Sequence, residues 1–279
     1  MKVAVTGATG FVGRHVVSAL LAHDVEVVAT IHTSVNQGIS DKRLSTVSMN
    51  IAVPNDTFAR LGEPDVLVHL AWAGLPNYHS KSHLEIELPK QIAFLNDCIR
   101  GGLRRLVVTG TCLEYGMQPG CMDESLSTEP TTAYGQAKDK LHGHLQELAQ
   151  ATGLQLTWLR LFYLYGPGQA STSLYSQLRA AVEAGATEFA MSPGDQLRDF
   201  LPIETAAAQL STLAISAPAA GIVNLCSGVP ITVNALVRRW LQDWGMEVRL
   251  NPGIYPYPDY EPQEFWGSSK KLDALLEMI

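Results

Sequence analysis

Two residues on one segment of the sequence can carry proton-transfer chemistry. Tyr134 and Lys138 stand four positions apart, so on a helix both side chains project from the same face. An ammonium beside a phenol favours the phenolate, which predicts a pKa for Tyr134 below its usual value of about 10. Such a phenol exchanges a proton with a carbinol or ketone oxygen. Thr111 ends a predicted strand 23 residues before Tyr134, and its hydroxyl can hydrogen-bond the same oxygen.

The amino terminus carries a glycine pattern that suits a dinucleotide. Gly7, Gly10 and Gly13 follow an apolar run and open a segment of helical spacing. Glycines at these places permit a tight turn, close approach of the backbone to a pyrophosphate, and close packing of helix on strand. The first turn of the helix then presents free N–H groups to the phosphates. A glycine triplet alone is weak, but this strand–turn–helix setting predicts a dinucleotide cofactor.

Short apolar runs that alternate with helix-period segments must position these groups. Six runs predict strands, at Val3–Thr6, Val25–Ile31, Ser45–Asn50, Asp65–Ala71, Leu106–Thr109 and Leu156–Leu161. Helical spacing predicts one helix along Leu84–Ile99, which Pro89 must start or kink, and another that carries Tyr134 and Lys138. This order predicts an α/β fold with a doubly wound parallel sheet of the Rossmann type.

The composition of the sequence changes after about residue 165. Pro, Gly and Ala become frequent and the predicted elements become short, as around Pro193–Asp195 and Tyr255–Tyr260. We therefore predict a dinucleotide-binding domain over 1–162, to which later segments can return. A smaller, loop-rich substrate-binding lobe is predicted over 163–279.

Composition excludes several classes of protein. A net charge of −7 argues against a nucleic-acid partner, since such proteins carry a basic excess. No apolar run is long enough for a membrane span. The cysteines and histidines show no metal-binding spacing, so no metal site is expected. The absence of paired spacing among the cysteines predicts free thiols in a reducing, cytoplasmic environment, at Cys98, Cys112, Cys121 and Cys226.

The end of the second predicted strand bears on the choice of cofactor. NAD-binding proteins usually place a carboxylate there for the ribose diol, whereas Thr30–Ser34 contains none. The missing carboxylate removes repulsion against a 2′-phosphate, and His32, Lys42 or Arg43 can supply positive charge. These features predict NADP(H) rather than NAD(H), with His32 as a cofactor contact.

Taken together, the motifs resemble the extended short-chain dehydrogenase/reductases, in particular the NAD-dependent epimerase/dehydratase group that acts on nucleotide sugars. The resemblance runs through nearly the whole chain. It is carried by the Gly7–Gly13 turn, Val68–Ala71, Thr109–Gly116, Tyr134–Lys138, Leu159–Gly168, Gln196–Phe200 and Asn224–Gly228.

The resemblance implies roles for individual residues. Thr111, Tyr134 and Lys138 match the catalytic set, and Lys138 also reaches the cofactor ribose. Arg198 matches an arginine that clasps the phosphates of the sugar nucleotide, with an ion pair to Asp199 or Glu204 as the alternative; Tyr163 stands where a phosphate-side Asn is frequent. The implied cofactor contacts are Gly7, Thr9, Gly10, Phe11, Val12 and Gly13 at the pyrophosphate, Asn50 and Ile51 near the adenine, and Leu70, Ala71, Trp72 and Ala73 at the nicotinamide.

Departures from the family pattern narrow the reaction. The 4,6-dehydratases of the family carry Asp-Glu directly after the catalytic Thr, whereas this chain has Cys112 and Leu113. Neither can transfer the protons that dehydration needs. The members that epimerise C3 and C5 use a Cys at the place of Leu113, and we interpret Cys112 as a packing residue. The sequence therefore argues against both reactions.

Two reactions at C4 of the sugar remain, and both need only Thr111, Tyr134 and Lys138. A 4-epimerase keeps NAD tightly bound, whereas a 4-keto reductase uses an exchangeable NAD(P)H. The missing carboxylate and the short chain favour reduction of a nucleotide-linked 4-keto-6-deoxyhexose, with dTDP as the expected nucleotide. The 4-epimerase is the first alternative.

Two other classes of function remain open. A reductase of non-nucleotide carbonyl compounds is the second alternative, and a non-catalytic NADP-sensing protein of the same fold is a third. The intact Tyr134–Lys138 pair argues against the sensor. The family resemblance also implies a homodimer, formed through the predicted helices near 84–100 and 134–151.

Overall fold

The computed structural model describes residues 1–31, 41–217 and 219–279. Strands and helices alternate in the first part of the chain. They are β1 (Lys2–Thr6), α1 (Phe11–Leu21), β2 (Glu26–Ile31), β3 (Leu44–Ser48), α2 (Thr57–Arg60), β4 (Val66–His69), α3 (Leu88–Gly101), β5 (Arg105–Thr111), β6 (Gly120–Met122), α4 (Ala133–Thr152) and β7 (Gln155–Leu161). A π-helical turn, His83–Glu87, precedes α3, and a 3₁₀ helix, Cys112–Tyr115, follows β5.

The second part of the chain consists of shorter elements. They are β8 (Tyr163–Tyr165), α5 (Leu174–Glu183), β9 (Glu188–Ala190), β10 (Leu197–Pro202), α6 (Ile203–Ser216), β11 (Gly221–Leu225), β12 (Pro230–Thr232), α7 (Val233–Asp243), β13 (Arg249–Asn251), β14 (Glu264–Gly267) and α8 (Lys270–Glu277).

The central sheet has seven parallel strands in the order β11-β7-β5-β4-β1-β2-β3. Helices α1, α6 and α8 pack on one face, and α3 and α4 pack on the other. Both faces are thereby buried, which explains the nearly continuous apolar runs of β1 and β4. The predicted doubly wound parallel sheet is confirmed. In the described part of the chain, no helix has both the length and the apolar character that a membrane crossing requires.

One strand of this sheet comes from the late part of the sequence. β11 pairs with β7 in parallel, from Gly221 opposite Thr157 to Leu225 opposite Leu161. The apolar runs predict only six strands, all of them before residue 162. β11 joins this sheet because α6, the helix before it, packs on the same sheet face as α1. Ala206 and Leu210 of α6 belong to the same buried apolar cluster as the α1 side chains.

The smaller lobe is built on a second sheet, in the order β12-β10-β14-β6, with β8 paired to β10. A separate apolar cluster joins α5 and α7 to the two-stranded β13-β9 ribbon, and its largest buried side chain is Trp240. Strand β6 comes from the first part of the chain, so segments cross between the two lobes in both directions.

Pro89 acts as the sequence predicts, since it lies in the first turn of α3. Proline lacks an N–H and its ring displaces the preceding turn, and here the preceding turn is π-helical. The single predicted helix along Leu84–Ile99 is therefore two helical segments.

Candidate active site

The glycine turn and the segment after β4 meet at the carboxyl edge of the sheet. Thr6 lies opposite His69 in the parallel register, so the chain leaves β1 and β4 side by side. The Thr6 hydroxyl oxygen accepts hydrogen bonds from the backbone N–H of Leu70 at 3.2 Å and of Ala71 at 3.3 Å. Gly7 has a φ of +67°, and a Cβ there would lie 2.8 Å from the backbone nitrogen of Ala71. Only glycine fits this close approach.

The first turn of α1 is arranged to receive an anion. A Cβ at Gly13 would overlap the carbonyl oxygen of Gly7, so the helix can pack on the turn only with glycine there. Gly10 is the N-cap and supplies no side-chain hydrogen bond, which leaves the first backbone N–H groups of α1 uncapped by a side chain. Thr9 and Gly10 are exposed, and Phe11 and Val12 are half-buried. These residues fit a dinucleotide pyrophosphate.

A chain of buried hydrogen bonds holds the side chain of Thr6 in place at this edge of the sheet. The carbonyl oxygen of the Gln91 side chain lies 2.7 Å from His69 Nε2 and can only accept, so Nε2 carries the hydrogen. His69 Nδ1 then accepts from the Thr6 hydroxyl at 2.9 Å. Burial, reinforced by the charge of Lys138, lowers the pKa of His69 to about 3. The imidazole is therefore neutral, and it holds Thr6 oriented toward Leu70 and Ala71.

This neutral histidine predicts a loss of stability in acid. The unfolded chain protonates His69 near its ordinary pKa of 6.5, whereas the folded protein resists protonation until about pH 3. The stability that depends on His69 is present above pH 6.5 and is lost as the pH falls toward 3. By pH 4 we expect about 3 kcal/mol of unfolding free energy to be lost through this group.

Urea unfolding at pH 7.5 and pH 4 measures this effect, with His69→Gln and the exposed His23→Gln as a matched pair. We expect His69→Gln to lower stability at pH 7.5 and to flatten its decline in acid. The decline of His23→Gln should follow that of the wild type. A His69→Gln curve that declines in parallel with the wild type would refute the assignment.

Some, but not all, of the residues that the sequence places near the adenosine part of the cofactor lie where the prediction requires. Asn50 is exposed and Ile51 half-buried just beyond β3, at the same carboxyl edge as Gly7. His32 lies outside the described residues. Arg43 is bound elsewhere: its guanidinium contacts Asp41 and the carbonyl oxygens of Leu21 and His23.

Arg43 therefore cannot support the prediction of NADP(H). It immediately precedes β3, with Leu44 opposite Val27, whereas the ribose is expected beyond Ile31 at the other end of β2. Four residues of extended strand separate the two ends by about 13 Å. Lys42 stands at the same amino edge and is exposed. The suggestion that either residue meets a 2′-phosphate is wrong because both lie at the wrong edge of the sheet.

Tyr134 and Lys138 lie on the first turns of α4 and are both buried. The Lys138 ammonium donates to the carbonyl oxygen of Thr109 at 2.8 Å and lies 5.8 Å from the centre of the Tyr134 ring. The indole of Trp72, which we assigned to the nicotinamide side, packs edge-on against Tyr134. Leu70 and Ala71 are half-buried, and Ala73 is exposed.

The prediction that Lys138 lowers the pKa of Tyr134 is wrong for this structure. Burial raises the pKa of Tyr134, and the neighbouring Tyr78 adds to that rise. Burial also lowers the pKa of Lys138 to about 7, against a smaller opposing effect of Glu114. Desolvation outweighs the pair interaction because both groups lose water on the same buried helix face. Tyr134 is therefore a protonated phenol at neutral pH, a proton donor rather than a base.

Thr111 is held at the end of β5 by a buried carboxylate. Its hydroxyl oxygen accepts from the N–H of Leu113 at 3.2 Å, and its own N–H donates to Glu114 at 2.8 Å. Glu114 is fully buried and pairs with Arg160 at 2.7 Å, while the indole N–H of Trp158 donates to both carboxylate oxygens at 3.1 Å. Burial raises the pKa of Glu114, and the Arg160 charge opposes that rise.

This buried ion pair was missed at the sequence level. Glu114 stands within the Thr109–Gly116 motif, but no local pattern links it to Arg160 on β7. The two residues meet because β5 and β7 are neighbours in the sheet, with Gly110 opposite Arg160. Only the prediction that the two strands pair would have brought them together.

A cavity of about 690 Å³ brings most of the predicted catalytic and substrate residues together. Residues from both lobes line it. They include Phe11 from α1, Thr111 at the end of β5, Cys112 directly after it, Tyr134 from α4, Tyr163 from β8 and Arg198 from β10. Its size is within the range of small-molecule sites, about 300–1,000 Å³. Cys112 is also buried in an apolar cluster, and burial raises the pKa of its thiol.

Arg198 is engaged by another residue at the cavity wall. Its guanidinium lies 3.1 Å from Glu261, and one of its nitrogens donates to the carbonyl oxygens of Leu197 and Gln263. Of the two ion-pair partners considered from the sequence, Asp199 instead accepts from backbone N–H groups, including those of Ser227 and Gly228. Glu261, 63 residues away, was not foreseen. Its pairing with Arg198 leaves the phosphate contact of Arg198 a prediction.

The chain matches a known family over most of its length. The model described as the NAD dependent epimerase/dehydratase family matches residues 3–226. Two named relatives cover nearly the whole chain. The dTDP-6-deoxy-L-talose 4-dehydrogenase (NAD(+)) of Aggregatibacter actinomycetemcomitans is 27% identical over 271 residues, 96% of this chain and 100% of the relative. The dTDP-6-deoxy-L-talose 4-dehydrogenase (NAD(P)(+)) of Kitasatospora kifunensis is 28% identical, over 92% of this chain and 83% of the relative.

Solved structures share the fold at lower identity. UDP-glucuronic acid 4-epimerase from Bacillus cereus, in complex with UDP-glucuronic acid and NAD, superposes with a TM-score of 0.81 and 20% identity, over 99% of this chain and 93% of the other. The UDP-glucose 4-epimerase of Thermus thermophilus in complex with NAD gives 0.80 and 22%, with the same coverage. The order and packing of the elements described above are therefore those of this group of structures.

Proposed function

We propose, since the chain belongs to the NAD dependent epimerase/dehydratase family, that this enzyme reduces the 4-keto group of a nucleotide-linked 4-keto-6-deoxyhexose with NADH. The observation that carries the proposal is the make-up of the cavity at its catalytic end. Thr111 and Tyr134 supply hydroxyls there. The two residues that follow Thr111 in the sequence, Cys112 and Leu113, supply no group that acts as an acid or a base. Such a site suits a single transfer of hydride and proton at one carbon.

The residues have distinct tasks in this reaction. The Gly7–Gly13 turn would hold NADH, which would supply the hydride to C4 of the sugar. Tyr134 gives its proton to the oxygen that becomes the alkoxide, which suits a phenol kept protonated by burial. Thr111, whose backbone N–H donates to Glu114, holds the same oxygen with its hydroxyl. Lys138 lies on the same helix as Tyr134, donates to the carbonyl oxygen of Thr109, and is the residue that would hold the cofactor ribose.

The position of Glu114 also supports reduction over dehydration. Glu114 is the one carboxylate of the 3₁₀ helix, and it is fully buried against Arg160 and Trp158. It does not line the cavity, so it cannot take a proton from C5 of a sugar held there. The side chains that do line it at this turn are Cys112, whose thiol pKa is raised, and Leu113.

The sugar and the nucleotide are proposed from the names of two relatives that are similar to most of the chain. Both are named for the 4-dehydrogenation of dTDP-6-deoxy-L-talose. A 4-dehydrogenase and a 4-keto reductase catalyse one reaction in opposite directions. We therefore propose a dTDP-linked 6-deoxyhexose as the product, with Tyr163 and Arg198 on the phosphate side of the cavity.

For the cofactor we propose NAD(H), which revises the prediction of NADP(H). Arg43 and Lys42 lie at the wrong edge of the sheet, which removes two of the three charges that favoured a 2′-phosphate. The relative from Aggregatibacter actinomycetemcomitans, which is matched over its whole length, is named for NAD(+), and the two superposed structures hold NAD. The residues proposed for the pyrophosphate, Gly7–Gly13, serve either cofactor.

A 4-epimerase remains a second candidate because both superposed structures are 4-epimerases. The two functions share Thr111, Tyr134 and Lys138, and they differ in whether the cofactor is consumed. The homodimer implied by the family stays a prediction.

An absorbance assay at the nicotinamide band distinguishes the candidates. We expect one NADH consumed for each dTDP-4-keto-6-deoxyhexose, and a kcat/KM for NADH at least about 10-fold above that for NADPH, since a difference of 1.4 kcal/mol suffices for tenfold discrimination. The corresponding UDP- and GDP-linked ketones serve as controls for the nucleotide. Interconversion of 4-epimers without NADH consumption would replace the reductase by the epimerase. A preference for NADPH would overturn the cofactor proposal.

A further inference from the structure

The ammonium of Lys138 rests on an aromatic face. Its nitrogen lies 4.1 Å from the centre of the Trp72 ring, while it donates to the carbonyl oxygen of Thr109. Lys138 is 2% exposed, so water contributes little to its solvation. The ammonium is instead stabilised by the carbonyl dipole of Thr109 and by the negative π face of the Trp72 indole, which it contacts directly.

The orientation of Trp72 is fixed from its other edge. Its indole N–H donates to His83 Nδ1 at 3.1 Å, and His83 Nε2 lies 2.8 Å from the carbonyl oxygen of Asn77. That carbonyl can only accept, so Nε2 carries the hydrogen and Nδ1 is free to accept from Trp72. His83 is fully buried. The indole thus cannot flip without breaking this partly buried hydrogen bond.

The same indole also contacts the proposed proton donor. The rings of Trp72 and Tyr134 meet edge to face, with centres 5.7 Å apart, and the His83 ring lies 5.3 Å from that of Tyr134. Trp72 therefore lies against both members of the Tyr134–Lys138 pair.

We propose that Trp72, oriented by His83, is a positioning residue that holds the Lys138 ammonium on its π face beside Tyr134. This inference rests on the proposed function, for which Lys138 must keep its charge at the cofactor ribose. An indole face attracts a desolvated cation more strongly than a phenyl ring does, and an aliphatic side chain of similar bulk offers no comparable attraction. Comparing an aromatic with an aliphatic replacement of Trp72 thus separates its electrostatic effect on Lys138 from the effect of its bulk.

The charge of Lys138 is sensitive to these surroundings. Burial lowers its pKa to about 7, against a smaller opposing effect of Glu114, and the other titratable groups beside it are the uncharged His69 and Tyr134. Removing the aromatic face takes stabilisation from the ammonium alone, so the pKa of Lys138 falls further. Turnover that needs the ammonium then declines at a lower pH on the alkaline side of its profile.

The test compares Trp72→Phe with Trp72→Leu in the full-length enzyme. We expect Trp72→Phe to keep kcat within about 3-fold, and Trp72→Leu to lose about 30-fold with its alkaline limb moved about one pH unit lower. Trp244→Leu is the matched control, because Trp244 carries the Arg179 guanidinium 5.0 Å from its ring centre and does not line the cavity. That variant should leave kcat unchanged. Equal kcat and equal pH profiles for Trp72→Phe and Trp72→Leu would overturn the proposal.

A double-mutant cycle asks whether Trp72 acts through Lys138. If it does, Trp72→Leu causes no further loss of kcat in an enzyme that already carries Lys138→Met. A merely structural role predicts that the two losses multiply, and that outcome would refute the inference.

A substrate-free measurement separates this proposal from the proposed function. In protein with ¹³C-labelled lysine, the methylene signals of Lys138 should be shifted upfield by the Trp72 ring. The shift should persist in Trp72→Phe and vanish in Trp72→Leu, with Lys138→Met identifying the signal. A shifted Lys138 signal in an enzyme that does not turn over the ketosugar would refute the proposed function and leave the positioning role of Trp72 intact. An unshifted Lys138 signal in the wild type would overturn the positioning role.

Discussion

Replacing Tyr134 by phenylalanine is expected to lower kcat by about 10³-fold, since a positioned proton donor contributes roughly 10²–10⁴-fold to such a step. The variant loses only the hydroxyl. The ring contacts with Trp72, Tyr78 and His83 stay in place, so the fold and the binding of NADH should be nearly unchanged. Steady-state assays, together with NADH titration followed by fluorescence, measure the two effects separately.

Tyr115→Phe is the matched control for this change. Tyr115 lies on the same 3₁₀ helix as Cys112, but its hydroxyl donates to Asn224 in the core, and the residue does not line the cavity. We expect that variant to lose about 1 kcal/mol of stability, the usual contribution of one hydrogen bond, and to keep its kcat. If Tyr134→Phe turned over like Tyr115→Phe, the proton transfer would have to be assigned to another group.

Glu114→Gln is expected to cause the largest loss of stability, about 3–5 kcal/mol of unfolding free energy. The variant leaves the Arg160 guanidinium buried, at 2% exposure, without a counter-charge. Urea unfolding monitored by circular dichroism measures the loss. Activity should fall as well, because Glu114 fixes the backbone of Thr111.

The control is a pair of the same chemistry at the surface. Glu188 binds Arg249, and both side chains are about half-exposed or more, so Glu188→Gln should cost less than about 1 kcal/mol. Replacing both buried partners, in Glu114→Gln with Arg160→Met, should recover part of the loss because no uncompensated charge remains. Equal losses for Glu114→Gln and Glu188→Gln would show that the buried pair does not stabilise the fold.

The sequence predicts those parts of the molecule that local spacing encodes. The glycine turn and six strands follow from apolar periodicity and from backbone conformations that only glycine adopts readily, such as that at Gly7. The parallel sheet is confirmed, and four of the residues proposed from short motifs line one cavity, namely Thr111, Tyr134, Tyr163 and Arg198. β11 was missed because its short apolar run lies in a Gly- and Ala-rich region that has no strand-like alternation.

Contacts between distant elements could not be predicted in this way. Glu114 meets Arg160, Arg198 meets Glu261, and Trp72 meets Lys138 only after strands and lobes have assembled. The pKa of Tyr134 was predicted with the wrong sign because the sequence shows its charged neighbour but not its burial. The location of Arg43, in contrast, was predictable: a residue that precedes a parallel strand lies at the amino edge, opposite the cofactor.

Isotope transfer from the cofactor to the sugar tests the central proposal most directly. The enzyme is incubated with a dTDP-4-keto-6-deoxyhexose and NADH that carries deuterium at C4 of the nicotinamide, with each of the two faces labelled in separate samples. We predict that one of the two samples yields a dTDP-6-deoxyhexose with one deuterium at C4, in amounts equal to the NAD⁺ formed. A product without deuterium from either sample, or sugar inverted at C4 while NADH stays intact, would contradict the account.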